Sequence, residues 1–179
     1  MKSSTKKGKS IDKNNLKLIL WFLVRFNILA IPLYAILYLN LSFESLQSLI
    51  AQIIGILLKL FGYSIAQNNY VISTLVGNTI QNIEVSFDST GWKSLYALMA
   101  LVLAVPKMDL GKKLKFLLVG LPSVFILNLL RILTTIVIAL EFGFQYFDVV
   151  HLFLWREGLI IAVIAIWYVW LKRERYNIR

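Results

Sequence analysis

The chain has 179 residues, of which 59% are hydrophobic, with a mean hydropathy of +0.73 and a formal net charge of +10. That much apolar surface exceeds what a soluble domain of this size can bury, and lipid is the solvent in which it costs little. There is no cysteine and only one histidine, which excludes disulfides and thiolate metal sites and argues against a catalytic metal; no cofactor is expected.

The charge could suggest nucleic acid, but its placement does not. Most Lys and Arg fall in three clusters: Lys2 to Lys17, Lys107 to Lys115, and Lys172 to Arg179. Each flanks an apolar run, so the charge reads as topology, with basic segments retained in the cytoplasm. No nucleic-acid partner is expected. Residues 1–17 form a basic cytoplasmic start, residues 18–171 one membrane domain, and residues 172–179 a basic cytoplasmic tail. The start resembles a signal peptide, but the run is too long and no small-residue cleavage site follows, so a retained span is expected.

A helix needs about 20 apolar residues to cross a bilayer. The first span is expected over 18–39, with Arg25 snorkelling and Pro32 bending it. Over 46–61 the apolar residues keep helical spacing, while Ser48, Gln52, Gly55 and Lys59 form a polar stripe. That pattern predicts an amphipathic helix lying in the interface, with a true span as the alternative. Residues 63–87 are rich in β-branched and aromatic side chains around Gly77-Asn78, and Ile83, Val85 and Phe87 alternate with Asn82, Glu84 and Ser86. A β-hairpin with one apolar face is expected. Further spans are expected over 92–105, 114–140 and 159–171. The first of these is short and needs tilt or local thinning. The fold class is thus an all-α polytopic membrane protein with four transmembrane helices, an outer-face amphipathic helix and a small β-hairpin.

Arg131 is the strongest functional signal. It lies in an otherwise almost uncharged span, where an ionised side chain costs about 2.5–3.5 kcal/mol on insertion scales. Asn128, Thr134 and Thr135 share its helix face. The bland alternative is a cation that clamps helices through backbone carbonyls. Asp88-Ser89-Thr90-Gly91 precedes the span expected over 92–105. Asp88 and Ser89 are ordinary N-caps, yet a nucleophile there would sit in the positive potential of a helix N-terminus. His151 stands among aromatic residues and is either an interfacial anchor or a proton shuttle. Arg156 and Glu157 are boundary charges in the plain reading. Under the topology set by charge, Ser89, Arg131 and His151 all fall in the outer half, which motivates an active site there.

The order of these motifs resembles the exosortase/archaeosortase family of membrane transpeptidases. The features that carry the resemblance are the turn at 88–91, Gly120-Leu121-Pro122 leading to Asn128-Leu129-Leu130-Arg131-Ile132, then His151 and Gly158. It covers about half the chain, residues 83–171. It implies a peptidase or transpeptidase of the prokaryotic cell membrane. Such an enzyme cuts the C-terminal sorting signal of exported proteins, a motif followed by a transmembrane helix and a basic tail, at the outer face. Membrane lipid and that transmembrane tail are the implied partners. By resemblance Arg131 takes the family's Arg position, and His151 takes the third position with Arg156 as substitute. Asp88, Thr90, Gly91 and Asn128 are supporting residues. The family's nucleophilic Cys falls on Ser89. A serine nucleophile, a Cys→Ser change that traps substrate, and a non-catalytic member are all compatible with that departure. Two other functions are a binder of exported tails or lipids in the same groove, and a small transporter using Arg131 as counter-ion.

Overall fold

The computed structural model describes residues 13–76, 79–143, 145 and 157–176. His151 and Arg156 lie outside the described residues. The described part is mainly helical, with a three-stranded antiparallel sheet beside the helices.

Four helices make the bundle: α1 (Lys13–Tyr38), α3 (Trp92–Ala104), α4 (Leu110–Phe142) and α5 (Glu157–Tyr176). α2 (Glu44–Leu60) lies between α1 and the sheet in sequence and packs on α4 and the sheet. α3 is central and touches α1, α4 and α5. Its Leu98 and Val102 pack with Leu117 and Val124 of α4 and with Leu159 and Val163 of α5. Gly120 permits the close approach of α4: a Cβ there would stand 3.2 Å from Leu98 Cδ2. Tyr96 Oη donates to the Leu29 carbonyl at 2.7 Å, which ties α3 to α1.

α1 and α4 are long and apolar enough to cross a bilayer. Both stay helical through an internal proline, Pro32 and Pro122. Large apolar side chains face outward along the bundle, among them Ile31, Leu118 and Ile161, a surface suited to hydrocarbon rather than water. α3 has 13 residues, about 20 Å at 1.5 Å per residue, so it is shorter than a hydrocarbon core.

The ends of the bundle differ from the sequence expectation in an instructive way. α4 starts at Leu110, not at 114, because the Asp109 carboxylate accepts from the Lys112 N–H at 3.2 Å and caps it. This is the usual acidic N-cap. Lys112, Lys113 and Lys115 of the second basic cluster therefore ride on helix, and only Lys107 stays in the connection. α5 likewise continues into the basic tail, where Glu174 meets Lys112 at 3.2 Å. Lys113 folds back and donates to the carbonyls of Leu103 and Val105 at 2.9 and 2.6 Å. Those carbonyls end α3 just before Pro106 and have no helical donor. Lys113→Met is expected to leave them unmet, at about 1–3 kcal/mol each. Loss of thermal stability in detergent, compared with Lys115→Met as an exposed control, measures it.

At the opposite end lies the sheet: β1 (Ile65–Asn68), β2 (Val71–Val76) and β3 (Thr79–Glu84), in that order. The β2–β3 pair matches the expected alternation, with Ile72 opposite Ile83. Ile72, Ile83 and Val85 are buried against Ile50, Ile54 and Leu58 of α2 and Ile132 and Ile136 of α4. β1 is an added strand that the hairpin expectation lacked. Its sequence, Ile-Ala-Gln-Asn, has little apolar alternation; the turn at Asn69 (φ +56°) folds it onto β2. A second correction concerns Gly55, expected on the polar stripe of α2. It is buried, because Ile65 of β1 crosses there and a Cβ would come within 3.0 Å of Ile65 Cδ1. Tyr63, just before β1, donates its hydroxyl to Glu141 at the end of α4. That hydrogen bond raises the phenol's pKa above its ordinary value.

Candidate functional site

The segment entering α3 is held from several sides. Val85 leaves the sheet with its N–H on the Tyr70 carbonyl at 3.0 Å, and its own carbonyl accepts from Gln47 Nε2 of α2 at 3.0 Å. Ser86 is extended (φ −64°, ψ 155°) and caps a single 3-10 turn over Phe87–Thr90. Phe87 stacks on Trp92 with centroids 5.1 Å apart and meets Phe43 edge-on at 5.6 Å. Such pairs fix the ring and the turn that carries it.

Ser89 sits in that turn, half-buried. Its hydroxyl is 2.8 Å from the Ser86 hydroxyl, and its N–H lies 3.3 Å from the same oxygen. Its carbonyl accepts from Asn128 Nδ2 of α4 at 3.0 Å. Thr90 is buried and donates to the Phe87 carbonyl at 2.7 Å, which closes the turn. Asp88 points outward and pairs with Lys93 at 2.8 Å. Asp88 and Ser89 were candidates for capping α3, and neither does. The N-cap of α3 is Gly91, with φ +80° and no side-chain cap bond. The helix-capping explanation of Ser89 is thereby removed.

Gly91 has two reasons to be glycine. Its left-handed backbone disfavours any Cβ. A Cβ would also stand 2.6 Å from Asn128 Cγ. Asn128 is fully buried, and its Oδ1 has no hydrogen-bond partner among the described residues. The bond to the Ser89 carbonyl offsets part of the cost of burying that amide. Asn128→Leu is expected to free the 87–90 turn from α4 and to cost about 1–2 kcal/mol. Faster amide hydrogen exchange across residues 86–91, with α1 unchanged, would report it.

Arg131 lies three residues after Asn128 on α4 and is buried. That spacing puts it on the same side of the helix, one turn nearer the sheet end. Its neighbours in sequence, Ile132, Leu133 and Ile136, form the core with α2 and the sheet. Its backbone carbonyl accepts from Thr135 Oγ1 at 2.8 Å. The structure therefore brings Ser89, Thr90, Gly91 and Asn128 together, and puts Arg131 on the next turn of the helix that grips them. His151 and Arg156 lie outside the described residues.

Two residues of the site went unnoticed in the sequence. Ser86 touches the Ser89 hydroxyl, and its signal was the cap-to-third-residue spacing Ser86-x-x-Ser89. Gln47 clamps Val85, and its only signal was a polar residue beside the apolar stripe of α2.

The model of the transmembrane exosortase (EpsH) family matches residues 15–154 of this chain, a region containing all but the first two residues of α1, the whole of α2 through α4, and the Ser89–Asn128–Arg131 cluster. No curated protein matches the chain, and no solved structure does. The match takes in most of the sequence and agrees with the apolar helices, so the chain is a membrane protein and belongs to the transmembrane exosortase family.

Proposed function

We propose that this protein is a membrane peptidase or transpeptidase acting on the C-terminal sorting signal of exported proteins: a short motif, a transmembrane helix and a basic tail. The proposal includes four crossings by α1, α3, α4 and α5, both termini in the cytoplasm, and the sheet and α2 on the outer face of a prokaryotic cell membrane. Charge supports that orientation. Lys13, Lys17, Lys107, Lys112, Lys113 and Lys115 gather at one end of the bundle, whereas Glu44, Glu84, Asp88 and Glu141 lie toward the other.

The observation that carries the reading is the Asn128–Ser89 bond. It fastens the turn bearing a half-exposed hydroxyl to the helix that holds a buried guanidinium one turn away. In the proposed reaction Ser89 Oγ attacks the scissile carbonyl carbon and its proton passes to His151. Arg131 stabilises the oxyanion. The C–N bond breaks, His151 returns the proton to the leaving amine of the membrane anchor, and the acyl group stays as an ester on Ser89. Water or an acceptor nucleophile then releases it. Serine is a weaker acid than the family's cysteine, so a helix terminus and an arginine do not suffice to activate it; the base is essential.

Co-expression with a tail-anchored exported protein tests the reading. Wild type should shorten the substrate. Arg131→Ala should slow this by about 10²–10³-fold, the usual loss for one oxyanion donor, with the protein still folded. Equal processing by Arg131→Ala would overturn the assignment. A second reading, favoured by the lack of any cysteine, is a non-catalytic binder of exported tails. It predicts co-purification of uncut substrate that is indifferent to Ser89.

A further inference from the structure

At the basic end of the bundle two adjoining cavities open between α1, the segment joining α3 to α4, and α5. The larger, about 460 Å³, is lined by Leu18, Ile19, Phe22, Met108, Trp167 and Leu171 among others. The smaller, about 310 Å³, is lined by Lys17, Trp21, Arg25 and Lys107. The two share Leu18, Pro106 and Lys107. An apolar slot thus runs into a basic one. Among the described residues no carboxylate lines either cavity, and none forms an ion pair with Lys17, Arg25 or Lys107.

Lys107 has φ +56°, a left-handed backbone that costs a non-glycine residue about 1–2 kcal/mol. It is nonetheless kept between Pro106 and Met108, where it lines both cavities. Arg25 lies about 12 Å along α1 from Lys17, yet it lines the same cavity. Its guanidinium carbon is 5.9 Å from the Trp21 ring. Like charges gathered with no counter-charge among the described residues repel one another. An anion at headgroup depth with hydrocarbon attached would relieve this and fill the apolar slot.

We propose that this pair of cavities binds one anionic phospholipid, with the phosphate among Lys17, Arg25 and Lys107 and an acyl chain along Phe22 and Trp167. The lipid would bridge α1, the α3–α4 connection and α5 at the basic end, away from the Ser89 turn. This inference rests on the membrane orientation given above but not on peptidase activity, which its test does not read.

The full chain, purified in uncharged detergent, would be titrated with phosphatidylglycerol and with phosphatidylcholine. Retained lipid is counted by native mass spectrometry. One phosphatidylglycerol should be retained at about a hundredfold lower concentration than phosphatidylcholine, because three basic residues near a headgroup contribute about fivefold each. The Lys17→Gln/Arg25→Gln/Lys107→Gln variant should lose that preference, whereas Lys115→Gln/Arg173→Gln should keep it. Should the triple variant not fold, Lys107→Gln alone is expected to lose about fivefold. Free glycerol phosphate at the same concentration should not displace the lipid. Wild type without a preference, a control variant that loses it equally, a folded triple variant or a Lys107→Gln protein that keeps it in full, or displacement by glycerol phosphate would each overturn the proposal.

Discussion

Ser89→Ala is expected to stop processing of a tail-anchored substrate, by about 10⁴-fold or more, while Ser89→Cys remains active. The first half follows from nucleophilic catalysis: without the hydroxyl no ester forms, and only binding and oxyanion stabilisation remain. Folding should be little disturbed. The contacts that hold the turn run through the Ser89 carbonyl to Asn128, the Thr90 hydroxyl to the Phe87 carbonyl, and the Phe87–Trp92 stack. Alanine keeps all of these and forfeits only the 2.8 Å contact with the Ser86 hydroxyl. The second half follows from acidity, since a thiol ionises far more readily than a hydroxyl beside a positive group. Substrate shortening with wild type, Ser89→Ala and Ser89→Cys separates the readings. If Ser89→Ala matches wild type, the serine role is wrong. Activity confined to Ser89→Cys would identify the present chain as a binder that has lost its nucleophile.

Gly91→Ala is expected to be the most damaging single substitution for the site's architecture, at about 2–4 kcal/mol. The left-handed backbone accounts for about 1–2 kcal/mol. The remainder is overlap: the new Cβ meets Asn128 Cγ at 2.6 Å and Nδ2 at 2.7 Å, so the buried asparagine side chain must shift to admit it. The bond from Asn128 to the Ser89 carbonyl is then lost as well. A double-mutant cycle isolates this cause. Asn128→Ala removes the two atoms in closest conflict, so Gly91→Ala in that background should cost at least about 1 kcal/mol less than in wild type. Thermal unfolding of the four proteins in one detergent measures the coupling. Strict additivity would show that the two residues do not meet.

Much of this arrangement was legible in the sequence because strong one-dimensional signals produced it. Long apolar runs marked α1 and α4, and the period-two alternation around Ile83 and Val85 marked β3 and its partner. The single charge in the apolar stretch Phe116–Leu140 of α4 marked Arg131. What escaped depended on contacts between segments distant in sequence. Nothing in Ile65–Asn68 marks a strand; it pairs because Asn69 turns it onto β2. Gly55 reads as polar-face filler until Ile65 is seen against it. Asp88 and Ser89 have the composition of a cap, but Ser86 and Gly91 occupy the capping positions, leaving Ser89 inside the turn. The basic segment from 107 to 115 reads as a loop from charge alone, yet Asp109 starts a helix within it.

The central claim is that a peptide bond is exchanged through an ester on Ser89 close to Arg131. Hydroxylamine interception is the most direct measurement of it. Purified protein and a synthetic substrate carrying the tail anchor are incubated with hydroxylamine, and the released fragment is sequenced by mass spectrometry. The account predicts a C-terminal hydroxamate with wild type, about 10²–10³-fold slower hydroxamate formation with Arg131→Ala, and none with Ser89→Ala. A fragment ending only in free carboxylate, or a hydroxamate formed as readily by Ser89→Ala, would contradict it.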